Sequence, residues 1–557
     1  MKSEDPLLRS PDPPRSHLLE RLGARGHEQY FDLVVVGGGI TGAGIFREAA
    51  RRGIRVLLVE KSDFAGGTSS CSSKMVRGSP GMPGAGSLRR SRQVLQEKDM
   101  LLEKAPGLVR PLSCAFSRYK GEMLKGWRLH VSLQARGLLA GRRISRMYGP
   151  ADWRMMVPGL PEERLRGGVL YEDAVTDDAR LVLQVIATGR RDGGLALNYT
   201  RVCGLMRDSR GYVRGVYLQA GDQQGITQVR TAVVVDATGF GGLSAPAGET
   251  PVYNRPLRRG SHLILPAWRL PVAHGISLEE PGHPRPVMVF PWEGVTVVGC
   301  SETDHDGSPD APPAITTGES DRLLEMVNRH FPGPGLSEAD LIGSWSALWP
   351  DLPGDTRSRL REDKGLVTVG GANLTDFRLV AIRVLQRAAP GLRGFSLADH
   401  REPIAETDPP QGERPGAWSG REGLVSACHG GRVGRWLAGA AAHLRRPFPG
   451  TVVLRGEVVI AAHDRDVQHL DDLLLRRTRL GLVLADGGLS LRAELEQLCR
   501  LPLGWNRSRW RQEWQRYSLI RAGLFGVPGQ GPCPPPPEPP PLPPELATPR
   551  PEFLGLS

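Results

Sequence analysis

At 557 residues, with 39% apolar side chains, the chain exceeds what one core needs, and two or more domains are expected despite 70 glycines and 48 prolines. The formal net charge of +12 comes mostly from arginines spread along the whole length, aromatic residues are only 6%, and no nucleic-acid-binding module is visible, so the charge reads as compositional bias and no nucleic-acid partner is expected. Seven cysteines without a CxxC pair suggest neither a metal site nor a disulfide framework, and no apolar run reaches the ~18 residues of a membrane span.

Residues 1–28 are polar and punctuated by proline. They are expected to form a disordered segment and, lacking an apolar stretch, do not read as a secretory signal. From Tyr30 the pattern changes. Residues 31–36 predict a short buried strand, 37–44 a glycine-rich turn, 45–52 a helix and 56–60 the next strand, a βαβ unit that implies a parallel sheet. Gly37, Gly39 and Gly42 satisfy GxGxxG, with Ile40 and Thr41 between them. Gly37 permits the tight turn, Gly39 lets backbone approach a pyrophosphate, and Gly42 lets helix and strand pack closely; the helix N-terminus offers N–H groups to phosphates. Glu60, 18 residues beyond Gly42, stands where an acid accepts hydrogen bonds from a ribose. This context marks a dinucleotide site without separating NAD from FAD.

The loop 61–74 follows, with Lys61, Thr68, Ser69, Ser72 and Ser73 among its polar side chains. It lies where the chain would run along an extended cofactor and could donate hydrogen bonds to it. Between 119 and 360, short strands such as 287–291 and 295–299 alternate with Pro/Gly turns, and 231–239 returns as a strand ending in Asp236-Ala237-Thr238-Gly239. Residues 365–371 predict a strand and glycine turn, followed by a helix over 375–389. A Pro, Gly and charge-rich gap at 402–422 precedes a helical domain over 423–526, and 527–557 reads as a proline-rich disordered tail.

The glycine turn and the loop Thr68-Ser69-Ser70-Cys71-Ser72-Ser73-Lys74 together closely resemble the N-terminus of FAD-dependent glycerol-3-phosphate dehydrogenases. The resemblance covers most of the chain. The strand around Val202 looks like the one whose backbone meets adenine, and the Asp236-Ala237-Thr238-Gly239 strand like the one returning under the cofactor. Gly260-Ser261-His262, Phe290-Pro291-Trp292 and Val298 to Glu302 are similar to substrate-domain strands, and Arg476-Arg477-Thr478-Arg479-Leu480-Gly481 to a specific string of the helical domain. The resemblance implies an α/β fold: an FAD-binding Rossmann-like domain (about 29–118, 169–250 and 360–400) interleaved with a strand-rich α+β substrate domain (about 119–168 and 251–359), plus the C-terminal helical domain. It also implies FAD as cofactor, a small-molecule substrate, a respiratory quinone as electron acceptor and peripheral contact with a membrane surface. A cytoplasmic setting, against the inner membrane, fits the scattered cysteines. Oligomeric state is not set by the sequence.

The departures from that pattern sit where the resemblance places substrate. Arg77 stands in place of a His, Gly81 and Trp349 each in place of an Arg, and Asn373 in place of a Lys; Leu374 and Thr375 follow at the cofactor. A phosphate dianion loses roughly 1.5–3 kcal/mol for each charged hydrogen bond removed. His262 is the candidate general base, because imidazole titrates near neutral pH; the other reading is a hydrogen-bonded core His. Arg378, in the first turn of the 375–389 helix, is the candidate positive charge near the flavin, the other reading being a carboxylate-paired Arg. Two functions follow: an oxidoreductase passing hydride from a small alcohol, glycerol 3-phosphate or an altered substrate, to FAD, or a catalytically silent flavin-binding homologue with a scaffolding role.

Overall fold

The computed structural model describes residues 15–528 apart from internal segments, the longer of which are 24–29, 79–87, 244–255, 280–285, 352–359 and 393–419. Gly81, most of the 402–422 gap and all but the first residues of the tail lie outside the described residues.

Near-continuous apolar runs make strands that are buried on both faces, as a parallel sheet requires. Leu33–Val36 and Val56–Val59 are fully buried and pair in parallel, Val34 opposite Leu57. They sit in a six-stranded sheet ordered Leu360–Asp363, Leu366–Val369, Val234–Asp236, Leu33–Val36, Val56–Val59, Leu195–Leu197, parallel except for the antiparallel Leu360–Asp363 edge. A four-stranded sheet carries Tyr30–Phe31, Ile226–Thr231, Val213–Ala220 and Thr200–Arg207. The stretch expected as one strand over 231–239 is therefore two pieces in two sheets. Thr231 turns the chain between them, its hydroxyl bonding to the Val233 carbonyl at 3.0 Å.

A large mixed sheet forms the second layer. It runs Thr303–His305, Leu257–Pro266, Val295–Gly299, Val287–Trp292, Gly275–Leu278, Val109–Tyr119, Leu165–Thr176, Met75–Val76, with Gly343–Pro350 also paired to Leu257–Pro266. The boundaries expected at 118/119 and 168/169 cut through this sheet. Val109–Tyr119 and Leu165–Thr176 pair along nearly their whole lengths, from Val109 opposite Thr176 to Tyr119 opposite Leu165, so both belong to it throughout.

Three further expectations are corrected. The first helix is Ile40–Ala50, so it opens inside the glycine run and not at 45. Gly42 and Gly44 are helical contact points: a Cβ on Gly42 would lie 1.8 Å from the Gly37 carbonyl oxygen, and one on Gly44 2.7 Å from the Phe377 ring. The segment taken as disordered contains the helix Arg15–Gly23, whose Leu18, Leu19 and Leu22 are buried with Val34, Leu57 and Val216. Arg15 fixes it by donating to the Asn198 and Tyr199 carbonyls at 2.9 and 3.0 Å. Finally, the C-terminal helices, among them Arg455–Ala462, Arg492–Cys499 and Arg507–Phe525, do not enclose a core of their own. Val458, Leu470, Leu473 and Trp510 join Met288, Trp292 and Trp345 of the large sheet in one apolar cluster. No described helix is long and apolar enough to cross a membrane.

Candidate active site

The strand Leu33–Val36 ends on Gly37, whose φ of +111° only glycine adopts readily, and a Cβ there would lie 2.5 Å from the Ala237 carbonyl oxygen. Gly39 precedes Ile40–Ala50 in extended conformation without capping that helix through a side chain. Instead the Ile40 N–H donates to the Ser69 hydroxyl at 2.9 Å, and a Cβ on Gly39 would come within 2.9 Å of the same oxygen. Thr41 accepts the Ala372 N–H at 2.9 Å, which brings the 371–375 segment to the elbow. Gly239 and Gly371 also have positive φ, yet a Cβ on either would meet nothing within 4 Å, so both border open space beside the elbow.

Glu60 is held by the Gly38 and Ser62 amides at 2.7 and 2.8 Å; burial raises its pKa and those two donors oppose the shift. Its carbonyl accepts the Thr200 N–H at 2.7 Å, which aligns the strand carrying Val202. Lys61 is exposed. The hydroxyls of the following loop point to different tasks. Thr68 donates to the Leu348 carbonyl at 2.6 Å, and Ser72 gives both its hydroxyl and its N–H to Asp178, at 2.7 and 3.0 Å. Those two side chains hold the loop, leaving Ser69 at the elbow and Ser73 half-buried. Asn373 is exposed, its N–H bonded to Asp376 at 2.8 Å, whereas Leu374 and Thr375 are buried.

His262 lies on Leu257–Pro266 with 2% of its surface exposed. Its ring stacks on Trp345 directly across the strand pair, centroids 5.2 Å apart, and packs so close to Gly299 that a Cβ there would sit 2.2 Å from it. Neither ring nitrogen has a hydrogen-bond partner among the described residues. Burial, then the Lys74 and Arg77 charges, lower its pKa to about 3, so the imidazole is neutral across the physiological range. The ring is thus buried on its strand as a core histidine would be, but without the hydrogen bond that reading expects among the described residues. Arg77 is half-buried next to Met75–Val76, and its charge helps to lower the pKa of the buried Asp173 carboxyl against burial. Trp349 covers Gly260 together with Cys300: a Cβ on Gly260 would be 2.4 Å from the indole and 2.1 Å from the sulfur.

Arg378 follows the carboxylate-paired alternative. It is buried, with Nε and Nη2 on the two Glu97 oxygens at 2.9 and 2.5 Å, so its charge is neutralised by a partner 281 residues away in sequence. One charged residue escaped the sequence reading. Lys74 is wholly buried, donates to both Asp178 oxygens at 2.9 Å and to the Ser70 carbonyl at 2.6 Å, and lies 4.5 Å from the Trp345 ring centre. Burial lowers its pKa, and Asp178 counters. Its signal was a cation closing the uncharged, hydroxyl-rich stretch 64–73 just before a buried strand.

Residues 32–381 match the FAD dependent oxidoreductase family. The chain belongs to that family. Among curated relatives it is similar to a glycerol-3-phosphate dehydrogenase of Synechocystis, 27% identical over 530 residues that span 87% of this chain and 95% of the relative. One from Mycobacterium leprae is 29% identical, covering 88% of this chain and 87% of that one. In fold, the chain superposes on the FAD-complexed glycerol-3-phosphate dehydrogenase of Bacillus halodurans with a TM-score of 0.72 at 24% identity, over 91% of this chain and 97% of that one. The architecture is thus the mixed α/β flavoprotein fold with a C-terminal helical region, and FAD is the cofactor. The residues present fit it: an elbow too tight for side chains, a helix N-terminus met by a serine, and open space beside two positive-φ glycines.

Proposed function

We propose that this flavoprotein oxidises a small alcohol, glycerol 3-phosphate or a substrate altered from it, with His262 as the general base. The observation that carries the reading is the orphaned imidazole: a buried ring whose two nitrogens find no partner among the described residues leaves ~1–3 kcal/mol of hydrogen bonding unmade for each such group until something binds there. Bound FAD supplies the acceptor for the substrate's two electrons. Neutral at working pH, His262 can take the hydroxyl proton as hydride leaves carbon. Burial and the Lys74 and Arg77 charges disfavour the imidazolium, which makes the free imidazole a weak base while those charges stand unopposed. An anionic substrate paired with Arg77 would cancel one of those charges and strengthen the base. Trp345 and Trp292 exclude water from the floor of the site. The resemblance supports a quinone at a membrane surface as the final acceptor.

A silent scaffold is the second reading, favoured by Trp349 over Gly260 and by the Arg378–Glu97 pair, which leaves that cation unavailable to a flavin or substrate. Anaerobic titration of the yellow protein with a panel of small alcohols, phosphorylated and not, separates the two. The enzyme bleaches near ~450 nm with one of them, and His262→Asn slows bleaching by ~10²–10⁴-fold at unchanged FAD content. Full-speed bleaching in His262→Asn removes the base from the mechanism; no bleaching by any member leaves the scaffold.

A further inference from the structure

The loop 61–74 contains one short 3-10 turn, Thr68–Ser70, and no strand before Met75, so its shape is imposed from outside. Part of that imposition comes from the Arg476-Arg477-Thr478-Arg479 string, some 400 residues downstream. Asp63 of the loop accepts from Arg476 Nε at 2.5 Å and from Arg477 Nη1, and from the Asn198 amide at 3.1 Å. Arg479 donates through Nε to Asp177 at 3.0 Å, through Nη2 to Asp178, and through Nη1 to the Ser70 carbonyl at 3.4 Å. Asp178 in turn holds Ser72 and Lys74. Asp63, Lys74, Asp178, Arg477 and Arg479 are each no more than 2% exposed. Burial raises the Asp177 pKa, but Arg479 and Arg180 outweigh it and hold the carboxyl at about 2.

Two features tie this network to the cofactor and not only to packing. Consecutive residues face opposite ways: Ser69 caps the elbow helix at Ile40, while the Ser70 carbonyl receives Lys74 and Arg479. And the backbone is left-handed at non-glycine positions on both sides of the contact, with φ of +58° at Ala65, +56° at Lys74 and +61° at Arg479. Such conformations persist only where the surroundings over-determine them. A buried charge network is weak evidence for stability, since desolvation offsets much of its attraction, but it fixes geometry well.

We propose that Arg476, Arg477 and Arg479 are flavin-positioning residues: the C-terminal helices clamp the cofactor loop through Asp63 and Asp178, so FAD affinity and docking of those helices are coupled. The proposal rests on the reading that loop 61–74 lies against FAD. Coupling between two sites is reciprocal, so each must respond to the other. Full-length apo-protein is titrated with FAD by flavin fluorescence. Arg479→Gln is expected to weaken FAD by about 10-fold or more, Arg479→Lys to recover part of that, and Arg509→Gln, on the exposed face of the same region, to leave it unchanged. In the wild type, FAD is expected to slow amide exchange over 472–483 by a similar factor. Ser69→Ala, which touches only the elbow, separates the two readings. If it weakens FAD while a folded Arg479→Gln does not, the loop stands and the clamp is wrong. If Ser69→Ala has no effect, the loop reading falls and the clamp with it. Should Arg479→Gln not fold, unchanged exchange over 472–483 on adding FAD to the wild type overturns the proposal.

Discussion

At His262 the sign of the pH dependence follows from burial. A histidine whose folded pKa lies near 3, against an unfolded value of ~6.5, binds fewer protons folded than unfolded between those limits. Its contribution to stability is complete above pH ~6.5 and is lost as pH falls towards about 3. Urea denaturation at a series of pH values is therefore expected to show a shallower acid-side decline in His262→Asn than in the wild type; identical slopes would mean that the imidazole is not buried in the neutral form. The same residue shows what sequence could reveal. Its place in a Gly260-Ser261-His262 string marked it as a candidate, but its missing hydrogen bonds depend on Trp345 and Gly299, neither of them a neighbour in sequence. Arg378 shows the converse: a helix start was legible, whereas its partner Glu97 lies too far along the chain for any local pattern to expose.

Among elements, the strand bearing His262 is tied to the helix Thr317–His330 through one carboxylate. Glu319 accepts from the Ser261, Ser301 and Thr303 hydroxyls at 3.0, 2.8 and 3.2 Å, and from Arg259 and the Thr316 N–H at 2.7 and 3.0 Å. Burial raises its pKa, but these donors hold the group below its usual range. A glutamine would turn an amide N–H₂ towards donors. Glu319→Gln is expected to lower the unfolding free energy by ~3–5 kcal/mol, the range for breaking one side of a buried charge pair, measured by urea denaturation; a change under ~1 kcal/mol would mean that water replaces the carboxylate there. The βαβ unit and the strands around 290 and 298 were legible because uninterrupted apolar runs bounded by glycine allow little else. The helix Arg15–Gly23 was not, because only Leu18, Leu19 and Leu22 carry its apolar stripe, and prolines just before it obscure the period.

For the whole molecule, the C-terminal helical region was legible, whereas the core it shares with the large sheet was not. The helices after 420 have the periodicity of a separate domain, yet their apolar faces close on Met288, Trp292 and Trp345. A chain ending at residue 392 should consequently expose that face. It is expected to bind an apolar dye strongly and to elute as aggregate in size-exclusion chromatography, whereas a monodisperse, dye-silent fragment would show that the sheet can stand uncovered. The interleaving of sheet strands acts on a different clock. Val34 pairs with Leu57 soon after both emerge from the ribosome, but its other neighbour is Val234, about 200 residues later, and Val234 itself waits for Leu366. At ~5–20 residues per second of translation, the nascent strand keeps an open apolar edge for roughly 10–40 s. During that interval chaperone supply and growth temperature govern how much of the newborn polypeptide reaches its native form.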